Sequence, residues 1–456
     1  MNMKIGSAKI DITPPLNIPH LAYLPRQGKF KGVHDPLYSR AFVFANDEMK
    51  LALISADSIG FNNELLGPGR SFIKEVRERI LERTGIENIM LATTHAHSTP
   101  ETTGITNLLD ALGVDSWLEV LIEQIVSAVE MADNNMIYTT LKAGIGEARG
   151  IAKNRRKGNM PIDEQRAKGY IDESVGVLLC EGADKSDRSD RSDILINFST
   201  HPVTVQVQSL VSADYPGAAT KLVEKIIQGC RNCAFLQGAA GDINPVRDDT
   251  RDFRDVELYG TILAGEVIKI VAQLRAPDTK PMESRLGALS KVLQLPSRDL
   301  PDSEPFHKAY MSALNEAEEA TDKELRDMAL RVAGTNQETL KRIERGTDPI
   351  IAEVQVFRIG DVAIVGIPGE FFVELGLHIK QESSSPYTFI SETTNDWIGY
   401  IVSPGTYQEG GYEIHPAPWS MTNESGGQMI VQTAIELINE LWDIHPTTKM
   451  ALSTIK

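Results

Sequence analysis

The sequence contains little cysteine, few aromatic residues and no long apolar run. Three cysteines among 456 residues are too few for a disulfide framework of the kind that holds small secreted proteins together. No stretch of about 18 apolar residues occurs, so we expect no integral membrane segment. Basic residues are also outnumbered, with 46 Lys and Arg against 63 Asp and Glu and a net charge of -17. This charge disfavours a broad basic binding face, so we expect no nucleic acid partner.

The first residues, MNMKIGSAKIDITPP, lack the basic start and the apolar stretch of a secretory signal peptide. Together with the scarcity of cysteine, this pattern predicts a cytoplasmic protein. Cys230 and Cys233 have the spacing of a redox pair, but a zinc ribbon would need a second pair. We interpret them as small residues between a helix and a buried strand.

Apolar runs alternate with stretches of helical spacing along the chain. Strands are predicted within 41–57 and at 89–94, 194–202, 233–236 and 352–371, and helices at 71–83, 116–131, 217–228, 255–274 and 427–442. This order predicts an α/β fold in which helices flank a mixed β-sheet core. No internal repeat or linker is visible, so we expect one large domain over residues 1–456.

Two segments differ from the rest in composition. Residues 300–346 are rich in Ala, Glu, Lys and Arg and predict two surface helices broken at Gly334. This segment is interpreted as an inserted helical hairpin, either a lid over the site or a plain surface feature. The stretch KSDRSDRSD at 185–193 has alternating charge and no apolar residue, which predicts a solvated loop between two strands.

The stretch LATTHAHSTP at 91–100 places His95 and His97 at the end of a predicted strand. On an extended backbone, residues two apart point to the same side, so both imidazoles would face one space. They would supply half of a zinc site, or one ligand and one general base. The alternative is a pair of polar histidines that simply end the strand.

Two further strand ends resemble the first. His201 follows an apolar strand and precedes Pro202, and Glu370 ends the strand that contains PGE. Because ligands bind beyond the carboxyl ends of the strands in α/β sheets, we expect these groups to converge on one rim. Two histidines and a carboxylate form a common set for catalytic zinc, with room left for water.

A loop rich in glycine and proline carries three tyrosines, Tyr400, Tyr407 and Tyr412, within residues 395–419. Aromatic packing of a long loop would explain them. The other interpretation is that a phenol donates to an oxyanion or binds metal.

With these segments in place, the chain resembles the neutral/alkaline ceramidase family over more than 400 residues. The resemblance rests on several motifs in order, namely GSAKIDITPP, GVHDPLYSRAFVF, THAHSTP, FSTHP, IPGEF and YIVSPGTYQEGGYE. It implies an enzyme of lipid metabolism that hydrolyses the amide bond of ceramides with one zinc ion, in an α/β catalytic domain.

The resemblance also implies roles for individual residues. It assigns the metal ligands as His95, His201, Glu370 and Tyr400. It assigns His97 to the reacting group and matches Arg155, Tyr407 and Tyr412 to family positions. Arg155 and Tyr412 would donate to the developing oxyanion. We expect Asn244 among the catalytic residues, and Asp57, Asp242 and Tyr407 at the substrate.

Three features depart from the family. Its glycine-rich turn usually has serine before proline, whereas this chain has Asn244, which transfers a proton less readily. Characterised ceramidases also carry a β-sandwich domain after the catalytic part, which we do not expect here. They are typically secreted or membrane-facing.

These departures favour a zinc-dependent amidohydrolase acting on a small soluble amide. A zinc hydrolase of an ester, lactone or phosphoester, and a non-catalytic binding protein on the same fold, stay open as alternatives. A homo-oligomer is possible.

Overall fold

The computed structural model describes residues 3–20, 29–105, 108–183, 191–248, 250–344 and 346–442. The strands of this part of the chain are, in order, β1 Lys4–Asp11, β2 Gly32–Val33, β3 Tyr38–Ala45, β4 Lys50–Ala56, β5 Asn88–Thr93, β6 Ile137–Glu147, β7 Ala152–Asn154, β8 Ser174–Gly182, β9 Ser192–Phe198, β10 Leu210–Val211, β11 Cys230–Gln237, β12 Ile243–Pro245, β13 Leu286–Leu295, β14 Ile350–Ile359, β15 Val362–Gly366, β16 Glu370–Phe371, β17 Tyr387–Ser391 and β18 Tyr400–Ile401.

The helices of the described chain are, in order, α1 Phe72–Thr84, α2 Val114–Asn134, α3 Ile162–Ala167, α4 Asp214–Ile226, α5 Phe253–Leu274, α6 Glu304–Glu319, α7 Lys323–Glu344, α8 Val373–Glu382, α9 Thr406–Glu409 and α10 Glu424–Leu441. Local sequence explains where α1 begins and ends. Ser71 caps its first turn through the Lys74 amide, and Gly85 ends it in the left-handed conformation at φ 70°.

The main sheet has eight strands in the order β11-β9-β8-β6-β1-β3-β4-β5. The outer pairs β4–β5 and β9–β11 are parallel, whereas the other neighbours are antiparallel. Only two residue pairs join β1 to β6. Helices α1 and α2 pack on the half that contains β5, and α4 and α5 pack on the half that contains β11.

A second sheet of four strands has the order β13-β14-β15-β17. One apolar cluster joins it to the main sheet, with Phe357, Ile364 and Phe389 against residues such as Phe42 and Leu236. Helices α8 and α10 pack on its other side. The mixed α/β prediction is therefore confirmed, with two sheets packed against each other between helices.

Two short ladders bring later segments toward the main sheet. In the parallel pair β16–β18, Glu370 lies opposite Tyr400. In the antiparallel pair β12–β7, Asn244 lies opposite Lys153. These ladders place the IPGEF segment beside the tyrosine loop, and the GDINP turn beside the segment that contains Arg155.

The structure corrects three predictions. Gly334 lies within α7, and the two helices meet at residues 320–322 instead; one glycine costs a helix only about 1 kcal/mol, so neighbouring helix formers carry α7 through it. The end of the 185–193 stretch is not a solvated loop, because Arg191 and Asp193 are buried and paired at 3.2 Å; residues 184–190 lie outside the described chain. Cys230 and Cys233 both lie within β11, because this strand begins at Cys230 rather than at the predicted position 233.

In the described residues, no helix combines the length and the apolar character that crossing a membrane requires.

Candidate metal centre

Three histidines and one glutamate meet where the two sheets join. His95 follows β5, His201 follows β9, and Glu370 begins β16. The Nε2 atoms of His95 and His201 are 3.0 Å apart, and Oε2 of Glu370 lies 3.5 and 3.1 Å from them. His97 joins the group, with its Nε2 3.3 Å from that of His95. The predicted convergence therefore occurs, although Glu370 does not come from the main sheet.

The backbone brings the two neighbouring histidines together in a way that strand alternation does not explain. His95 lies beyond the end of β5 and adopts a left-handed conformation, at φ 61°. This conformation is uncommon for a residue other than glycine and is typical of constrained functional sites. The expectation that an extended backbone aims both side chains was therefore wrong, although both imidazoles do face one space.

The hydrogen bonds of the Nδ1 atoms fix the tautomers of two histidines. Nδ1 of His95 lies 2.5 Å from the carbonyl oxygen of Ile59, and Nδ1 of His201 lies 2.5 Å from that of Ala240. A carbonyl oxygen can only accept, so each Nδ1 carries the proton and donates it. In its neutral form, each ring then presents a lone pair at Nε2, the arrangement that second-shell partners give to metal-binding histidines.

Electrostatics then favour a cation among these groups. Two lone pairs 3.0 Å apart, with a carboxylate beside them, repel one another unless a positive charge lies between them. Burial lowers the pKa of His201 to about 4, although Glu370 opposes the shift, so the His201 ring does not supply this charge at neutral pH. The nitrogen and oxygen donors suit zinc, and the three histidines form a compact group able to hold a metal ion.

Glu370 is held as an anion. Burial raises the pKa of this carboxyl, whereas positive charge at His95 and His201 lowers it to well below its usual range. With both rings neutral, a cation bound beside them would supply that charge. The other oxygen of Glu370, Oε1, accepts a hydrogen bond of 3.1 Å from the indole N–H of Trp397. Sequence reasoning missed Trp397, because nothing in its residue type or spacing distinguishes it from a core tryptophan.

Tyr400 and Tyr412 lie beside this group, with their hydroxyl oxygens 3.2 Å apart. The guanidinium carbon of Arg155 lies 5.5 and 5.0 Å from the centres of their two rings. Tyr412 as a whole is 51% exposed, but the surroundings of its hydroxyl are desolvated, which raises its pKa to about 12, and Arg155 opposes this rise. Burial would lower the pKa of Arg155. The nearby phenols and carboxylates outweigh this effect and hold the pKa of Arg155 well above its usual value. Tyr412 therefore keeps its proton at neutral pH and can donate it in a hydrogen bond.

The GDINP turn, in which Asn244 stands where the family usually has serine, contacts Arg155. Oδ1 of Asn244 accepts a hydrogen bond of 2.9 Å from Arg155, and its Nδ2 donates to Asp248 over 2.7 Å. Asp242 supports the same region, since its carboxylate accepts from Asn154 and from the amide of Val373. Burial raises the pKa of Asp242 to about 6.

The two remaining predicted substrate residues, Asp57 and Tyr407, bond to groups outside the histidine group. The carboxylate of Asp57 is buried and pairs with Arg40 at 2.8 Å. The hydroxyl of Tyr407 donates to the carbonyl of Thr422 over 3.0 Å. In the described chain, neither hydrogen bond leads to the histidine group, so their assignment to the substrate stays a prediction.

A cavity of about 1430 Å³ lies between the start of α1 and the insertion helix α7. Its wall includes Arg70, Arg77 and Arg342, together with Trp397 at the end nearest Glu370. Among the described residues that line it, none is a predicted metal ligand, but Trp397 both lines the cavity and donates a hydrogen bond to Glu370.

Comparisons with known proteins agree with this architecture. The family model of neutral/alkaline non-lysosomal ceramidase, N-terminal, matches residues 3–251. A neutral ceramidase of Mycobacterium tuberculosis is 23% identical and aligns with 98% of this chain and 78% of its own length. A neutral ceramidase of Pseudomonas aeruginosa is 22% identical, over 96% of this chain and 72% of its own.

The crystal structure of neutral ceramidase from Pseudomonas aeruginosa has a similar fold. It superposes with a TM-score of 0.71 at 20% identity and covers 96% of this chain and 75% of that one.

Proposed function

The chain belongs to the neutral/alkaline non-lysosomal ceramidase family, and on this premise we propose that it is a zinc-dependent hydrolase that cleaves the amide bond of an N-acyl amide. The main support for this proposal is the geometry of two histidines and one glutamate. The lone pairs of His95 and His201 face each other at 3.0 Å beside the Glu370 carboxylate, an arrangement that a bound cation stabilises.

The proposed ligands are His95, His201, Glu370 and Tyr400, with one zinc ion per chain. Zinc bound there would supply a Lewis acid that lowers the pKa of water to about 7 and so provides a nucleophile at neutral pH. The Trp397 indole would orient Glu370, and the backbone carbonyls at Nδ1 would keep Nε2 of His95 and His201 free of a proton.

His97 is proposed to move the proton. Its Nε2 lies 3.3 Å from that of His95, so it faces the same space as the proposed ligands. From there it can accept a proton as the nucleophile attacks the carbonyl and deliver it to the leaving nitrogen.

Arg155 and Tyr412 are proposed to donate hydrogen bonds to the carbonyl oxygen as it gains negative charge. One such donor typically contributes about 3 kcal/mol to stabilisation of the transition state. Asn244, which bonds Arg155 and Asp248, is proposed to support this donor rather than to transfer a proton.

The proposed substrate is a small soluble N-acyl amide in the cytoplasm, although the named relatives are ceramidases. A net charge of -17 disfavours approach to an anionic lipid surface. Rates on a short-chain N-acyl amide and on a long-chain ceramide in neutral micelles test this part. Faster cleavage of the ceramide would overturn the substrate class and leave amide hydrolysis in place.

Metal content and hydrolysis, measured together, test the main proposal. We expect about one zinc per chain in protein purified without added metal, and loss of both zinc and amide hydrolysis in His201→Ala. His378→Ala removes an exposed histidine of α8 and serves as the matched control, with both properties retained. Wild-type protein that holds no zinc and gains neither activity nor stability on adding it would contradict the proposal, and binding functions on this fold would then be examined.

A further inference from the structure

A buried carboxylate, Glu413, lies between two arginines beside the proposed catalytic groups. Its exposure is 2%, and its two oxygens accept from different partners. Oε1 accepts from Nε of Arg155 over 3.1 Å, and Oε2 accepts from a terminal nitrogen of Arg156 over 2.8 Å. We infer that Glu413 is a positioning residue that holds Arg155 and Tyr412 in their working geometry, an inference that rests on the proposed function.

The hydrogen bonds of Arg155 explain what Glu413 contributes. A guanidinium has five N–H groups in a rigid plane. In Arg155, Nε donates to Glu413, one terminal nitrogen donates to Asn244 over 2.9 Å, and the other donates to the carbonyl of Gly241 over 2.5 Å. Among the described residues these contacts use three N–H groups. One N–H on each terminal nitrogen is then left to donate to a substrate oxygen.

Glu413 also anchors the loop that carries Tyr412. Arg156, held by Glu413, donates to the carbonyl of Gly410 over 2.7 Å and to Glu409 over 3.2 Å. Lys157 adds a contact of 3.0 Å to Glu409. The segment 155–157 and the loop 409–413 are therefore joined on both sides of Tyr412, whose ring centre lies 5.0 Å from the Arg155 guanidinium carbon.

Gly411 provides independent support for this arrangement. Its φ of 111° lies in the region that favours glycine. A Cβ at this position would also overlap a terminal nitrogen of Arg156 and come too close to Oε2 of Glu413. The backbone thus passes next to the ion pair, and only glycine allows this close approach.

The expected effect of losing Glu413 is on the rate of the chemical step. Arg155 would bind the substrate oxygen most strongly once negative charge develops on it. A displaced Arg155 therefore loses more binding energy to the transition state than to the bound substrate. A displacement of about 1 Å in a positioned group can cost about 100-fold in rate. The hydrogen bonds and ion pairs of Glu413 go to Arg155 and Arg156 rather than to the proposed metal ligands, so zinc content should not change.

The variant Glu413→Gln tests the inference, since it keeps the side-chain size and removes the charge. We expect kcat for a short-chain N-acyl amide to fall about 100-fold, with KM and zinc content unchanged. Glu173→Gln is the control, because Glu173 is an equally buried glutamate that pairs with an arginine, Arg166, and belongs neither to the 155–157 segment nor to the 409–413 loop. Its kcat should stay at the wild-type value.

A double-mutant cycle separates positioning from a general structural role. If Glu413 acts through Arg155, adding Glu413→Gln to Arg155→Lys should lower kcat by clearly less than Glu413→Gln does in the wild type, and the remaining loss would arise through Tyr412. Full additivity of the two losses, or a loss in Glu413→Gln explained by lost zinc, would overturn the inference.

If the wild-type protein hydrolyses no amide, the proposed function is refuted, whereas the inference about Glu413 is not. Amide hydrogen exchange of residues 406–414 then decides the inference, since this loop should exchange faster in Glu413→Gln and not in Glu173→Gln. Equal exchange in both variants would refute the positioning role.

Discussion

The indole N–H of Trp397 donates to Glu370 from a side chain that is only 2% exposed. Partners of this kind orient metal ligands, and their removal typically weakens metal binding by about 10- to 100-fold. Trp397→Phe keeps the aromatic ring and removes the donor. We therefore expect zinc affinity, measured by competition with a chelator of known affinity, to fall within that range.

Trp117→Phe is the matched control for this substitution. Trp117 is 8% exposed and packs in the cluster around α2, away from the histidine group. Its zinc affinity should equal that of the wild type. Equal affinities in all three proteins would show that the contact between Trp397 and Glu370 does not orient the ligand.

Asp214 should make stability depend on pH. It begins α4 at φ 54°, is 1% exposed, and burial raises its pKa to about 6. The folded protein therefore binds this proton at higher pH than the unfolded chain, whose aspartate titrates near 3.9, and the stabilisation is lost as pH rises through 6. Asp214→Asn removes the group and keeps a residue that tolerates this backbone.

Urea unfolding of both proteins at pH 5, 6 and 7 measures the difference. From pH 7 to pH 5 the wild type should gain about 1 kcal/mol of unfolding free energy relative to Asp214→Asn. A difference between the two proteins that stays constant with pH would contradict the raised pKa.

Residue types and strand ends were enough to predict that His95, His201 and Glu370 would lie together. The supporting residues could not be found in this way. Trp397 bonds a carboxylate 27 positions away, and Glu413 bonds an arginine 258 positions away, so their partners depend on how the sheets and loops pack. A buried tryptophan or glutamate has no local pattern that names a distant partner.

At the scale of elements, the helical segment of 300–346 extends from one end of a β-hairpin. Leu295 of β13 and Ile350 of β14 are paired in the ladder, so the two ends of the segment lie side by side. Arg342 donates to Ser297 and to the carbonyl of Gly346, both at 2.6 Å and both in the same connection. Among the described elements, α6 and α7 pack mainly on each other, which agrees with the proposal of an insertion in one large domain.

Replacing residues 299–346 by a turn of about four residues tests that organisation. We expect a protein that unfolds in one cooperative transition, binds zinc as the wild type does, and loses the helical circular dichroism signal of α6 and α7. It should still hydrolyse a short-chain amide, since no proposed catalytic residue is removed. Failure to fold would show that the segment is integral, and loss of activity alone would support a lid.

At the scale of the whole molecule, the sequence order of strands and helices was enough to predict the α/β class. It did not show that the strands form two sheets. Strands of both sheets are apolar on more than one face, and the cluster that contains Phe42 and Phe357 forms only when two distant parts of the chain meet. Periodicity reports that a face is buried but does not identify what covers it.

The proposed metal would join these two sheets, since His95 and His201 follow strands of the main sheet while Glu370 follows β15 of the second. Binding to the folded state alone should therefore stabilise the entire fold, by about 2.7 kcal/mol when free zinc is 100 times its dissociation constant. Urea unfolding in zinc buffers should show unfolding free energy rising with the logarithm of free zinc, and a chelator should reverse the gain. His201→Ala should show no such rise, because one of the groups that bridge the sheets is missing. An equal rise in that variant would place the stabilising ion elsewhere on the protein and separate zinc binding from the proposed centre.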